Sequence, residues 1–182
     1  PAKRFKIHGI LRDALRQPSV GVIEEDPEKG IVKYAKPAGV IASIVPMTNP
    51  ALTPPGTAIN AIKAKDAVIF SPHPRTKRTT YETVEIMRAV MAREGAPADI
   101  FQCVEEPSIP LAQELMAVCD MTLATGGPAM VKAAYSSGKP DVRNTWHRGR
   151  AFEIEASQPA DPASDPGTAR PVTGGATIRS PA

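Results

Sequence analysis

The chain has 182 residues, 42% of them hydrophobic, and a net charge of only +3 from 22 basic and 19 acidic side chains. That is enough apolar material for one ordinary globular core, and too little net charge for the concentrated basic surface that binding along a nucleic-acid backbone requires. Two cysteines, Cys103 and Cys119, have neither a disulfide framework nor zinc spacing, and no apolar run approaches the length of a bilayer span, so no metal site, no membrane contact and a reducing, cytoplasmic setting are expected.

The N-terminal residues, Pro1 to Lys6, carry charge with no apolar signal region behind them. Residues 19–24 and 30–35 flank the turn Asp26-Pro27-Glu28-Lys29-Gly30 and predict a short antiparallel hairpin, accessory to the main sheet. Residues 1–36 are therefore set apart as an N-terminal segment.

From Ser19 to Ser137, strand-length apolar runs alternate with helix-length amphipathic ones, the pattern of a parallel sheet covered by helices, and residues 37–140 are set as the main domain. Residues 40–45 form the first core strand, almost continuously apolar apart from Ser43, as for a strand buried on both faces. A helix follows from about Pro54 to Lys65 with Ala58, Ile59 and Ile62 inward, then a second strand over residues 67–70. A helix from about Thr76 to Arg93, stopping at Gly95, presents Val84, Met87, Val90 and Met91 as one stripe. Residues 100–104 form a third strand. Ser108 caps a helix with Leu111, Leu115 and Val118 on its buried side, and residues 121–124 form a fourth strand. The last helix opens at Pro128 and stops at Gly138, with Pro140 just beyond.

Composition shifts after Pro140. The last 42 residues hold five prolines and five arginines but no lysine, leucine or methionine, whereas the first 140 hold ten lysines and seven arginines. Residues 141–182 therefore form a separate tail, expected to be disordered from about Arg150. Two origins stay open: a natural interaction tail, or the out-of-frame translation of a GC-rich gene.

Three strand-to-helix junctions fall at the carboxyl ends of parallel strands, where open α/β sheets bind their ligands. The first is Pro46-Met47-Thr48-Asn49-Pro50, where Asn49 offers a neutral amide that could meet an oxyanion or merely satisfy its own loop. The second, Ser71-Pro72-His73-Pro74-Arg75-Thr76-Lys77-Arg78, sets three cations at a helix start, against the helix dipole and in favour of an anion such as phosphate. His73, between two prolines, reads as a positioning residue. In the third, Thr125-Gly126-Gly127 lead straight into a helix N-terminus that could face a pyrophosphate. This last is neither G-x-G-x-x-G nor a Walker A loop.

Taken together, VPMTNP, IFSPHPRTKRTT and ATGGPAMVKAAYSSGKP resemble the CoA-acylating branch of the aldehyde dehydrogenase family over about Gly9 to Pro140. The branch includes acetaldehyde and sulfoacetaldehyde dehydrogenases and the aldehyde half of bifunctional alcohol/aldehyde enzymes. LRQPSVGVIEEDP and MTNP lie nearest the sulfoacetaldehyde type. The resemblance implies a Rossmann-like α/β fold of the aldehyde dehydrogenase type, incomplete here, and oxidation of an aldehyde through a cysteine thioester that is passed to CoA, with NAD or NADP as hydride acceptor. By it, Asn49 matches the amide that stabilises the thiohemiacetal oxyanion, and Pro46, Met47 and Thr48 lie in the same cofactor-side loop. Ser71, Pro72, His73 and Arg75 match the segment that contacts the adenosine ribose, and Thr125, Gly126 and Gly127 the turn near the pyrophosphate.

Most non-acylating relatives carry lysine and glutamate where this chain has Ser71 and Pro74, which leaves NAD and NADP equally open. Neither cysteine matches the family nucleophile, which lies beyond the GKP stretch, and Asp141-Val142-Arg143-Asn144 replaces the family's glycine-rich strand. The expectation is a dinucleotide-binding fragment, inactive alone, whose sheet lacks one strand and whose uncovered edge favours association with itself or with a full-length homologue. A binding or assembly module that works with a partner supplying the thiol domain is the alternative.

Overall fold

The computed structural model describes residues 2–145 and 155–157. The chain opens with helix α1 (Ala2–Arg16), followed by the strands β1 (Gly21–Asp26) and β2 (Ile31–Ala35), which pair antiparallel as a separate two-stranded sheet. Then come β3 (Val40–Val45), α2 (Thr53–Ala64), β4 (Ala67–Pro72), α3 (Lys77–Arg93), β5 (Phe101–Cys103), α4 (Ile109–Val118), β6 (Met121–Gly126), α5 (Pro128–Tyr135), β7 (Asp141–Thr145) and β8 (Glu155–Ser157). Short 3-10 turns precede α3 (Pro74–Thr76) and β5 (Ala98–Ile100).

The main sheet has the order β5-β4-β3-β6-β7-β8 and is parallel except for the last pair. Chain order therefore runs outward from β3 to β5, then returns across β3 to β6 and β7. That reversal makes the β3/β6 boundary a topological switch point, the place where doubly wound sheets open a crevice. Helices α2 and α3 cover one face, packing Ala58, Ala61, Val84, Met87 and Met91 over Ile41, Val45, Val68 and Phe70. Helices α4 and α5 cover the other, with Ala112, Met116 and Ala134 against Ile44 and Ala124.

Phe70 and Phe101 are buried on adjacent strands with ring centroids 6.2 Å apart and planes tilted by 51°, and each contributes on the order of 2 to 3 kcal/mol by leaving water. Their burial fixes the edge strand β5 to β4, which a three-residue strand could not manage through backbone pairing alone.

Several expectations are corrected. Helix α1 was not anticipated from its charge. It docks on α2, where Gly56 leaves room for Ile10, and it buries Ala14. Ile62 is exposed because Ala61 takes the inward position, and Val90 lies at the edge of its stripe. On α4 the buried side is Ala112, Leu115, Met116 and the flanking Cys119, whereas Leu111 and Val118 face out, a rotation of about one residue position, roughly 100°. Helix α5 stops at Tyr135, before Gly138.

The strand thought to be missing is present: Asp141–Thr145 pairs parallel with β6 from Thr122↔Asp141 to Gly126↔Thr145, and β8 then pairs with β7. Among the described residues β6 is thus no exposed edge. The disorder expected from Arg150 concerns residues outside the described set, save 155–157, which form β8.

At the amino end of β3, two carboxylates hold the central strand. Helix α2 ends in a left-handed turn at Lys65 (φ 63°), which brings the buried Asp66 beneath the strand to accept the Gly39 N–H at 2.9 Å. Asp120, just before β6, accepts the Val40 N–H at 2.8 Å, while its own N–H donates to the Val40 carbonyl at 2.9 Å. Gly39 sits at φ 113°, and a Cβ there would run into the Asp120 carboxylate. Gly39→Ala should therefore lower unfolding free energy by about 2 kcal/mol or more, measured by urea denaturation. Gly95→Ala, also at positive φ (79°) but with open space around its Cβ, should lose clearly less. Equal losses would mean the carboxylate contact carries nothing.

Candidate functional site

The carboxyl ends of the core strands open into one cavity of about 590 Å³ at the β3/β6 switch point. Its walls come from four loops. The end of β3 contributes Pro46, Met47, Thr48 and Asn49; the end of β4 contributes Ser71, Pro72, His73 and Pro74. Thr125, Gly126 and Gly127 come from the end of β6, with Met130 one turn along α5. The fourth loop, Pro107, Ser108, Ile109 and then Ala112 of α4, is the part that sequence reasoning missed. A signal existed: β5 is parallel to its neighbours, so the loop after it had to emerge at the same edge.

The three junctions singled out from sequence thus meet in a single crevice, and every candidate residue except Arg75 lines it. Arg75 lies one residue past the wall, in the turn before α3.

Each loop is stiffened locally. The Asn49 carbonyl accepts the N–H groups of Leu52 (3.3 Å) and Thr53 (3.0 Å), so the backbone of Asn49 starts helix α2 while its side chain stays at the cavity. The Asn49 amide nitrogen makes only a long 3.5 Å contact to Thr48 Oγ1, at the limit of a hydrogen bond, and so keeps donor capacity. His73 folds back on its own turn: Nδ1 accepts the Arg75 N–H at 3.2 Å, and its carbonyl accepts the Thr76 N–H at 2.9 Å. An Nδ1 used as acceptor leaves the ring proton of the neutral imidazole on Nε2. Ser108 caps α4 as expected, its hydroxyl accepting the Leu111 N–H at 3.3 Å.

At the α5 start, Gly127 (φ −73°) is the N-cap residue and makes no side-chain cap bond; Pro128 has no N–H, and the Met130 N–H is spent on the Gly127 carbonyl at 3.0 Å. A Cβ on Gly126 would just touch Met130, whereas one on Gly127 would meet no protein atom within 4 Å. The fold itself does not require glycine at 127; the close approach of something in the cavity would.

Neither thiol belongs to this site. Cys103, in the edge strand β5, is pushed up to about 11 by burial and then by the carboxylates of Glu85 and Glu105. Cys119, at the end of α4, is raised by burial and by Asp120, against a smaller lowering by Lys139. Neither lines the cavity. Among the described residues no group of three metal-ligating side chains occurs, and no helix is long and apolar enough to cross a membrane.

Residues 7–145 match the aldehyde dehydrogenase family, five residues further than the GKP stretch and so through β7. A sulfoacetaldehyde dehydrogenase from Acholeplasma sp. is 51% identical over 135 residues, which is 74% of this chain and 28% of that protein. Among solved structures, an acetylating aldehyde dehydrogenase from Geobacillus thermoglucosidasius superposes with a TM-score of 0.72 at 38% identity, covering 78% of this chain and 32% of the other. An engineered glycolyl-CoA reductase with bound NADP+ superposes with a TM-score of 0.59 at 38% identity, over 60% of this chain and 25% of its own. The chain thus spans under a third of the length of these relatives.

A raised thiol holds its proton, so at pH 7 only about one Cys103 in ten thousand is thiolate. Iodoacetamide should label the native protein slowly at neutral pH and rapidly once it is unfolded. The linkage has a definite sign: a thiol that ionises near 9.0 when unfolded and near 11 when folded stabilises the fold fully below pH 9, and that contribution drains away as pH rises toward 11. Fast labelling of the folded protein at pH 7 would contradict the assignment of both thiols as inert.

Proposed function

Because the chain belongs to the aldehyde dehydrogenase family, within its CoA-acylating branch, we propose that its residues form the nicotinamide-dinucleotide crevice of an acylating aldehyde dehydrogenase and do not by themselves turn over aldehyde. One observation carries this reading: the three loops singled out for oxyanion, ribose and pyrophosphate contacts line a single cavity at the switch point of the sheet. Its volume of about 590 Å³ lies inside the range of roughly 300 to 1,000 Å³ typical of cofactor and small-molecule sites.

The residues fit such a ligand. Gly126 and Gly127 leave the backbone bare where a pyrophosphate would pass the start of α5, and the helix dipole favours the negative charge. Pro107, Ile109 and Met130 supply an apolar wall against which a base can leave water. Ser71 and His73 offer polar atoms at the ribose end of the crevice. A bound nicotinamide would supply the acceptor for the hydride that leaves the substrate carbon. Asn49 donates its amide hydrogen to the oxygen that gains charge when the aldehyde carbonyl is attacked, and its proline-bounded loop keeps that donor in place before the reaction begins.

Attack itself needs a thiolate, and acyl transfer to CoA needs the thioester that the thiolate forms. Cys103 and Cys119 are protonated and set apart from the crevice, so the covalent step is not theirs.

Purified chain mixed with an aldehyde, CoA and NAD+ or NADP+ should give no rise in reduced-nicotinamide absorbance, and sustained turnover would overturn the proposal. In a binding titration, Gly127→Val should weaken dinucleotide affinity by roughly tenfold or more while leaving the thermal midpoint in place, since a Cβ there meets no protein atom. Unchanged affinity in that variant would remove the pyrophosphate from the β6 turn.

A further inference from the structure

The fourth wall of the crevice, Pro107, Ser108, Ile109 and Ala112, is attached to the fold differently from the other three. Those follow β3, β4 and β6, strands of six residues each, whereas this one follows β5, an edge strand of three. Val104 donates its N–H to the Phe70 carbonyl at 2.9 Å, and the Ser108 hydroxyl caps α4. Between those two anchors the backbone of Glu105, Glu106 and Pro107 makes no hydrogen bond among the described residues.

A line of side chains on α3 bridges the gap. Lys77, Tyr81, Glu85 and Arg88 fall at i, i+4, i+8 and i+11, which places them along one ridge of the helix. Lys77 forms an ion pair with Glu106, and one turn on the Tyr81 hydroxyl reaches Glu105 Oε1 at 3.5 Å, the limit of a hydrogen bond. Further along, Glu85 holds Arg88 at 2.8 Å, and Arg88 Nε donates to the Ala98 carbonyl at 3.1 Å, just ahead of β5. A single ridge thus grips both ends of the edge strand. An ion pair as open to water as Lys77–Glu106, with side chains 41% and 83% exposed, adds little to the stability of a whole fold. Its leverage is local, because the segment it holds has no backbone hydrogen bond to fall back on.

We infer that Lys77 and Tyr81 are positioning residues: through Glu106 and Glu105 they strap residues 104–108 to α3 and so set where Pro107 and Ile109 stand in the crevice. The inference rests on the dinucleotide reading only for what those two residues meet. With the strap formed, the wall is in place before a ligand arrives, and less ordering entropy is lost on binding. With it broken, the loop and the first turn of α4 loosen together, since Ser108 belongs to both.

Hydrogen exchange and a binding titration on the whole chain test the strap. In Glu106→Gln the amides of Val104, Leu111 and Ala112 should exchange about threefold faster while the thermal midpoint stays in place. The charge-swapped pair, Lys77→Glu with Glu106→Lys, should return them to the original rate. Glu106→Gln should also weaken NADP+ binding about threefold. That direction is opposite to simple electrostatics, in which removing a carboxylate near the crevice strengthens the binding of an anion. Tyr81→Phe should act in the same sense and more weakly. Unchanged exchange in Glu106→Gln, tighter NADP+ binding, or no recovery in the swapped pair would overturn the assignment, as would a thermal midpoint that falls in step with the faster exchange. If exchange responds as expected while the unaltered chain binds no NADP+, the strap stands and the dinucleotide reading falls.

Discussion

Everything in this molecule is arranged around β3, a strand flanked by β4 on one side and β6 on the other and buried on both faces. Between β3 and β6 the connections part company. Those that lead to β4 and β5 pass over one face, and those around α4 and α5 lie over the other. Helices that diverge in this way cannot close over the strand ends between them, so a gap is forced by topology and needs no dedicated insertion. The four loops then have no other space to line.

The chemistry of that gap follows from where its atoms come from. Strand ends and loop starts supply backbone groups, small residues and neutral side chains, while cations are held outside on the turn before α3. An anionic ligand would meet positive charge first at the rim and uncharged walls within. The thiols follow a different rule. Cys103 sits beside β4 in the sheet and Cys119 at the foot of α4, where a sulfur packs as a small apolar atom and its proton is retained. The separation between crevice and sulfurs is built into the strand order, since Cys103 ends the edge strand β5, with β4 between it and β3, and Cys119 ends α4 rather than a strand.

The sheet was legible because a doubly buried parallel strand announces itself: β3 was bounded to the residue from Val40 to Val45, and the junctions after β3, β4 and β6 followed from it. Helix faces were harder. On α4, choosing the largest apolar residues put Leu111 and Val118 inside, but Ala112 and Met116 pack with Ile44, and Leu115 and Cys119 with Ala42. Size alone misled there, because a small residue, Ala112, takes an inward position that the larger Leu111 beside it does not. Helix α1 carried a usable pattern in Ile7, Ile10, Leu11, Ala14 and Leu15, obscured by interspersed Arg and Lys. Strand β7 was overlooked because Asp141-Val142-Arg143-Asn144 lacks the apolar run of its neighbours, and pairing with β6 recruits it all the same.

The carboxylate clasp on β3 has a bearing on how the protein is made. Asp66 reaches back 27 residues to Gly39, and Asp120 reaches back 80 residues to Val40. The strand that organises the sheet is thus synthesised first and completed late: as the polypeptide leaves the ribosome, its opening N–H groups wait for partners that have not yet been translated. Until Asp120 has been translated, β3 can pair with β4 and β5 while its Val40 N–H still lacks the carboxylate that accepts it, so seating the centre of the sheet is a long-range event.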